Sequence, residues 1–79
     1  MERNEVLEQL QSIFRNVLNE PELQLGFDMS TNDIDNWDSI TNMTIISEIE
    51  ALFGVHFKMR DIIKSKNVGD MCDVIIRNS

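Results

Sequence analysis

The sequence has little of what most catalytic or membrane-spanning proteins need. Its 79 residues include one cysteine, one histidine and three glycines, and no apolar run approaches the roughly 20 residues that span a bilayer. A single cysteine excludes an internal disulfide framework and a cysteine-based zinc site. Three scattered glycines are too few for a phosphate-cradling loop. Since the first residues also lack the basic-then-apolar order of a signal peptide, we expect one cytoplasmic domain over residues 1–79.

Positive charge is scarce as well. Fourteen acidic residues face seven basic ones, for a net charge of −7, and no lysine or arginine lies between Arg15 and Lys58. That stretch holds eight acids, and basic residues then return close together as Lys58, Arg60, Lys64 and Lys66. Such a surface repels nucleic acid and anionic membranes. A stretch of one sign favours recognition by basic proteins over a merely solvated acidic face.

Apolar residues at helical spacing predict a first helix over residues 3–18, and Pro21 prevents that helix from continuing. Residues 19–37 have no sustained period and predict a long ordered loop. Five apolar side chains are expected to pin this loop to the core: Leu23, Leu25, Phe27, Ile34 and Trp37. Loops of this length are uncommon in compact domains and are usually functional.

A second helix is predicted to begin at Asp38 or Ser39, because either side chain can accept hydrogen bonds from a first helical turn. It is predicted to end at Gly54, which can adopt the left-handed conformation. The predicted apolar stripe consists of Ile40, Met43, Ile46, Ile49 and Phe53, widened by Ile45 and Leu52. Val55 and Phe57 then alternate as in a strand, but no other segment would pair with them.

Two more helices complete the chain. A short one is predicted around residues 59–64, and a last one opens with Asn67 as N-cap and Asp70 three residues later, a variant of the capping box. The last helix is predicted to bury Val68, Met71, Cys72 and Ile75. We therefore expect an all-α fold, a small four-helix bundle of three longer helices and one short helix, with a long loop between helices 1 and 2.

The usual catalytic sets are missing. A Ser-His-Asp arrangement would have to use His56, which lies more than about 20 Å from Ser39 by helical rise. Glu48 and Glu50 point to different sides of their helix and have no shared pocket for acid–base chemistry. We therefore expect that the protein is not an enzyme.

Residues 33–38 alternate acids in a way that suggests calcium binding. An EF-hand loop, however, needs glycine at its sixth position, where Asp38 stands, and glutamate at its twelfth, where Thr44 stands. We expect no dedicated metal site. Cys72 lies on an apolar helix face and is expected to be a buried structural thiol.

Ser39 is the remaining candidate for chemistry. It follows a long loop at the start of a helix, with Asp38 before it and Ile40 after it. Free N–H groups and the dipole of the helix N-terminus would favour a phosphate on its hydroxyl. These three residues alone would more often mark an ordinary N-cap serine.

Three segments of the sequence favour a functional role for Ser39 over an ordinary N-cap. Residues 37–40 read Trp-Asp-Ser-Ile, residues 49–55 read Ile-Glu-Ala-Leu-Phe-Gly-Val, and residues 67–70 read Asn-Val-Gly-Asp. With this spacing, the stretch from Ile34 to Ile75 resembles the acyl carrier protein family. The first segment resembles the Asp-Ser-Leu attachment motif, the second resembles the end of the family's second helix, and the third resembles the start of its fourth.

The resemblance implies that Ser39 receives 4'-phosphopantetheine from coenzyme A through a phosphopantetheinyl transferase and then holds acyl groups as thioesters. It implies that Asp38 helps to position the transferase's magnesium. The residues implied to dock on basic surfaces of transferase, acyl-transfer, synthase or ligase enzymes are Ile40, Glu48 and Glu50. The residues expected to line an acyl cleft are Met43, Ile46, Ile62 and Met71. We expect a monomer.

Departures from the family pattern bear on the pathway. Ile40 replaces the usual leucine, Thr44 and Ala51 stand where fatty-acid carriers often have acids, and the glycine-rich sequence of peptidyl carriers is absent. These features favour a specialised stand-alone acyl carrier over a housekeeping one. The expected partner enzymes belong to fatty-acid, polyketide-like or specialised lipid and acyl-transfer biosynthesis. Two alternatives stay open: an aminoacyl carrier, such as one for D-alanine, and an acidic helical interaction module with an unmodified Ser39.

Overall fold

Four helices and no strand form in the computed structural model, which describes residues 1–79. The helices are α1 (Arg3–Leu18), α2 (Ser39–Phe53), α3 (Met59–Lys64) and α4 (Val68–Asn78). The predicted all-α bundle with a long first loop is therefore confirmed. Val55 and Phe57 belong to the α2–α3 connection rather than to a strand. None of the helices combines the length and the apolar character that crossing a membrane requires.

Local signals set the helix ends. Asn19 ends α1 and Gly54 ends α2, both in the left-handed conformation with φ of 56° and 67°. Asn67 caps α4, because its side chain accepts a hydrogen bond from the N–H of Asp70. The second half of the predicted capping box is wrong, since the Asp70 carboxylate accepts from the N–H of Lys66 at 2.9 Å, one residue earlier.

The core lies where α1 packs against α2 and α4. Its fully buried large side chains come from these three helices and include Leu10, Phe14, Ile45, Ile49 and Ile75. Phe14 also meets Trp37 edge to face, with ring centroids 4.9 Å apart, a favourable geometry for aromatic pairs. Through this contact the end of the long loop is fixed to the middle of the core.

The predicted apolar stripe of α2 is partly wrong. Ile40, Met43 and Leu52 are 79%, 51% and 55% exposed, respectively, whereas Ile45, Ile46 and Ile49 are buried. Apolar residues surround this helix on most sides, so their spacing does not select the buried face. Three large apolar side chains of α2 therefore lie on the protein surface.

The long loop is tied to the bundle as predicted. Leu25, Ile34 and Trp37 are buried, and Leu23 and Phe27 pack partly buried against the core. Backbone bonds add to this anchoring. The N–H groups of Val68 and Gly69, in the first turn of α4, donate to the carbonyls of Met29 and Phe27 at 2.9 and 2.8 Å. These bonds satisfy helix-end donors that would otherwise lack partners.

The short α3 is held by a buried acid. Asp61 is 8% exposed, and its carboxylate accepts from the Arg77 guanidinium at 2.9 Å and from the N–H of Lys58 at 3.1 Å. Its carbonyl accepts from the Ser65 hydroxyl at 2.7 Å. The negative charge of Asp61 is thus paired with Arg77 of the same chain, and this ion pair fixes α3 to α4.

Candidate functional site

Ser39 is the first residue of α2 and is exposed. The side chain that caps α2 belongs to Asp38, whose Oδ1 accepts from the N–H groups of Ile40 and Thr41, each at 2.9 Å. The choice between Asp38 and Ser39 that the sequence left open is thereby settled in favour of Asp38. The hydroxyl of Ser39 is left free of capping bonds.

Asp38 is also strongly oriented. Thr41 Oγ1 accepts from the Asp38 N–H at 2.9 Å and donates to the carbonyl of Asn36 at 2.8 Å. The hydrogen bond from the Thr41 N–H is the largest cause that lowers the pKa of Asp38 below its usual 3.8, with the Ile40 N–H adding to it. The carboxylate beside Ser39 is therefore ionised at neutral pH.

Trp37 fixes the approach to this helix end. Its ring is buried against Phe14, and its Nε1–H donates to Oδ1 of Asn42 at 2.9 Å. One side chain thus links the loop, the core and the first turn of α2. The role of Asn42 was not predicted from the sequence, since a single polar residue inside a helix does not indicate which group it will hydrogen-bond.

A cleft of about 480 Å³ opens beside Ser39. Its apolar wall is formed by Trp37, Ile46, Phe57, Ile62 and Met71, and its polar wall by Thr31, Asp38, Ser39, Asn42, Ser65 and Lys66. The wall therefore combines residues from the long loop, α2, the α2–α3 connection, α3 and α4. This arrangement places one exposed hydroxyl at a concave, half-apolar surface.

Of the four residues proposed to line an acyl cleft, Ile46, Ile62 and Met71 lie in its wall. Met43 is not among the residues that line it, and its side chain is 51% exposed. Phe57 is in the wall without having been proposed there. Its place depends on how the α2–α3 connection folds back beside α2, which helical spacing does not reveal.

The residues proposed for docking differ in their availability. Ile40 and Glu48 are exposed. The carboxylate of Glu50 instead turns to its own chain, where Oε2 accepts from the Phe57 N–H at 2.8 Å and lies 3.3 Å from Nδ1 of His56. Glu50 therefore secures the α2–α3 connection, and Glu48 is the exposed acid of α2.

The serine fits a bulky phosphodiester substituent. Ser39 is exposed, and the cleft beside it offers room for a chain attached to its oxygen. The expected support from free N–H groups is only partly present, because the N–H groups of Ile40 and Thr41 already bind Asp38. A phosphate on Ser39 would therefore be favoured mainly by the dipole of α2 and by the solvent access of the Ser39 hydroxyl.

The other nucleophile of the chain lies elsewhere. Cys72 is fully buried in α4, and burial raises the pKa of its thiol to about 11. Its thiol is therefore neutral at physiological pH and closed to reagents. No group of three or more histidine, cysteine, aspartate or glutamate side chains is placed to hold a metal ion.

Comparisons with known proteins agree with this geometry. A family model described as "Phosphopantetheine attachment site" matches residues 8–75. The chain is also similar to the solution NMR structure of a holo acyl carrier protein from Geobacter metallireducens. The two share 36% sequence identity with a TM-score of 0.85, over 91% of this chain and 83% of that one. No curated protein matches the chain.

Proposed function

This chain belongs to the acyl carrier protein family, and from that membership we propose that Ser39 is the residue that bears its prosthetic arm. The protein is a carrier and not an enzyme, and its cofactor is a covalently attached 4'-phosphopantetheine. That group supplies a thiol at the end of a flexible chain, on which an acyl group is held as a thioester.

The observation that carries the assignment is the free hydroxyl of Ser39. Two serines line the cleft, Ser39 and Ser65. Ser65 donates its hydroxyl proton to the carbonyl of Asp61 at 2.7 Å and so helps to close α3. Ser39 is exposed and relieved of capping by Asp38, so it is the serine that a transferase can reach.

The proposed attachment is a phosphoryl transfer. Oγ of Ser39 bonds to the pantetheine-bearing phosphorus of coenzyme A as the phosphoanhydride bond breaks. Adenosine 3',5'-bisphosphate leaves, and the serine proton passes to a base of the transferase. Asp38 uses only Oδ1 for its cap, and we assign its other oxygen to the transferase's magnesium, which prefers carboxylate ligands.

Membership of the family implies a phosphopantetheinyl transferase and acyl-processing enzymes as partners. For docking we propose the exposed surface of α2, with Ile40 and Met43 as apolar contacts and Glu48 as the acid that meets basic residues. The two apolar side chains lie one helical turn apart and are largely exposed. Glu50 contributes less directly, through the shape of the connection that it secures.

The exposed face of α2 also bears on the pathway. Thr44 and Ala51 are exposed and uncharged. The exposed face of α2 is therefore less acidic than the corresponding helix face of many fatty-acid carriers in this family. This supports our proposal of a specialised acyl carrier. A free thiol arm also suits a reducing compartment, so we keep the cytoplasm as the proposed location.

Mass spectrometry tests the assignment. The protein is incubated with coenzyme A, magnesium and a promiscuous phosphopantetheinyl transferase. We expect one phosphopantetheine on the wild type, none on Ser39→Ala, and one on Ser65→Ala, the matched serine of the same cleft. A folded wild type of unchanged mass, or a fully loaded Ser39→Ala variant, would contradict the assignment.

A further inference from the structure

The short helix α3 exposes two large apolar side chains. Met59 and Ile63 are each 69% exposed, and they lie one helical turn apart, so they are neighbours on the surface. Neither belongs to the core or lines the Ser39 cleft. The inner side of the helix is formed by Asp61, which is buried, and by Ile62, which lines the cleft. The outer side of α3 therefore presents apolar surface on a helix that also borders the cleft.

Two cations accompany these apolar side chains. At roughly 100° of rotation per residue, Arg60 and Lys64 follow Met59 and Ile63 around the helix, and both are exposed. Neither takes part in any of the three ion pairs of the chain. These four residues, which we call the α3 patch, combine exposed apolar surface with positive charge that no acid of the protein pairs with.

A surface depression adjoins the basic side of the α3 patch. It has a volume of about 240 Å³ and is lined by Arg60, Asp61, Lys64 and Arg77. Asp61 is the one acid there, and its two oxygens already accept from the Arg77 guanidinium and from the N–H of Lys58. Three cations thus line the depression with one engaged carboxylate. This local positive charge contrasts with the net charge of −7 of the whole chain.

Helix stability accounts for only part of this positive charge. Lys64 lies in the last turn of α3, where a cation is favoured by the helix dipole. Arg60 is the second residue of the same helix, where a cation opposes that dipole. The position of Arg60 therefore points to an interaction with a group outside the chain.

We propose that the α3 patch and the adjoining depression dock an acidic surface of a partner enzyme, on which carboxylates flank exposed apolar side chains. The apolar side chains of the partner would cover Met59 and Ile63, and a carboxylate would enter the depression, where arginine and lysine can form charge-assisted hydrogen bonds. The required sign is opposite to the one proposed for Glu48 on α2. A partner that carries both charges would bind in one orientation, since the reversed orientation brings like charges together.

The identity of the partner as an enzyme that processes the cargo rests on the proposed function. Docking at α3 itself needs neither the arm nor the hydroxyl of Ser39. Because Ile62 of the same helix lines the Ser39 cleft, an enzyme seated on α3 would lie beside the opening of that cleft.

Two other occupants fit the α3 patch less well. An anionic membrane would attract the patch and repel the rest of a chain whose net charge is −7. A second copy would bring two chains of the same negative charge together. An acidic area on an enzyme avoids both costs, because the remainder of the enzyme surface can be neutral or basic.

A titration followed by NMR tests docking on the whole, isotopically labelled protein. The probe is a stapled helical peptide with two leucines one turn apart and glutamates beside them, and the control peptide has glutamines in place of the glutamates. We expect the glutamate peptide to bind about five- to tenfold more tightly, as two exposed ion pairs allow. The largest shift changes should fall on residues 59–64 and on Arg77, with little change at Ile40 and Glu48. Ser39→Ala should bind the peptide equally well, so a failure of arm attachment and a failure of docking are distinguishable.

Variants assign the preference to the two cations of the α3 patch. Arg60→Gln combined with Lys64→Gln should remove the preference for the glutamate peptide. Lys58→Gln combined with Lys66→Gln removes the same charge from either side of α3 and should keep the preference. Ile63→Ser should weaken the binding of both peptides equally. All five side chains are exposed, so the variants should fold, and thermal melts verify this.

Three results would overturn the proposal. The first is equal affinity for the two peptides, or a preference that persists in the Arg60→Gln, Lys64→Gln variant. The second is binding to vesicles of phosphatidylcholine and phosphatidylglycerol but not of phosphatidylcholine alone, which would assign the α3 patch to a lipid surface. The third is a set of α3 shifts that depend on the concentration of the protein alone, which would assign it to a second copy.

Discussion

Asp38 and Ser39 divide two tasks at the start of α2. A helix N-terminus needs a side chain to accept its first N–H groups, and a carrier needs a hydroxyl that another enzyme can reach. Asp38 performs the first task with Oδ1, which leaves Ser39 for the second. The family-like pair Asp-Ser thus has a physical reason in this chain beyond recognition by a transferase.

Replacement of the cap tests this division. Asp38→Ala should lower the melting temperature by several degrees at pH 7, because two N–H groups lose their acceptor. The folded-state pKa of Asp38 lies below its usual 3.8, so its stabilising effect is present above that value. The effect should fade as the pH falls through the lower, folded-state pKa.

Thermal melts of Asp38→Ala and wild type from pH 7 to pH 3 measure this difference. Asp35→Ala is the matched control, since Asp35 is an exposed acid in the same loop. It should change the melting temperature little at any pH. A difference between Asp38→Ala and wild type that stays constant down to pH 3 would contradict an ionic cap.

The thiol of Cys72 should not compete with the thiol of the arm. Burial raises the pKa of this thiol from an ordinary 9.0 to about 11, so its thiolate fraction at pH 8 is on the order of 100-fold below that of an unperturbed cysteine. We expect the native apo protein to resist iodoacetamide and the holo protein to gain one label, on the arm. Unfolding in urea should add a second label, and rapid labelling of native apo protein at Cys72 would disprove this.

The α2–α3 connection depends on one carboxylate of α2. Glu50 accepts from the N–H of Phe57, whose side chain is buried in the cleft wall. Loss of that acceptor would leave a part-buried N–H unpaired. Glu50→Ala should therefore lower the free energy of unfolding by about 1–2 kcal/mol, and urea denaturation measures it.

Glu48→Ala is the matched control on the same helix. Because Glu48 is exposed, its removal should change stability by less than about 0.5 kcal/mol. It should instead raise the KM of the transferase for the carrier, as a loss of docking charge would. If Glu50→Ala left the free energy of unfolding unchanged, the hydrogen bond from the Phe57 N–H to Glu50 would not contribute to stability.

The elements differ in how far the sequence could predict them. The bounds of the helices were predictable because caps and breakers are local: Asp38, Gly54 and Asn67 lie at the ends they mark, and Pro21 follows the end of α1 closely. The buried face of α2 was not, since Ile40 and Met43 are as apolar as Ile45 and Ile46. Only packing against α1 decides between these two pairs, and that depends on the whole bundle.

The site shows the same limit. Ser39 and part of the cleft wall could be proposed from motif and spacing. The inward turn of Glu50, the role of Asn42 and the place of Lys66 depend on segments that meet in space, and no local pattern encodes such a meeting. Polar residues are hardest to place, because one side chain fits either solvent or a partner equally well.

At the scale of the whole molecule, charge works against compactness. The net charge is −7 on a body of 28 × 24 × 22 Å. At 10 mM salt the Debye length is about 30 Å, so each acid interacts with all the others across the fold. At 0.3 M salt it falls to about 6 Å, and only neighbouring charges still interact.

Stability should therefore rise with salt. We expect the melting temperature to increase by about 5 °C between 10 mM and 0.3 M NaCl, and magnesium chloride to raise it as well. A double variant, Glu22→Gln with Asp35→Asn, removes two exposed acids and should melt higher at low salt, with a smaller salt response. Lys64→Gln makes the net charge more negative and should increase the response. A melting temperature indifferent to salt in all three proteins would show that repulsion among the acids does not limit the stability of this fold.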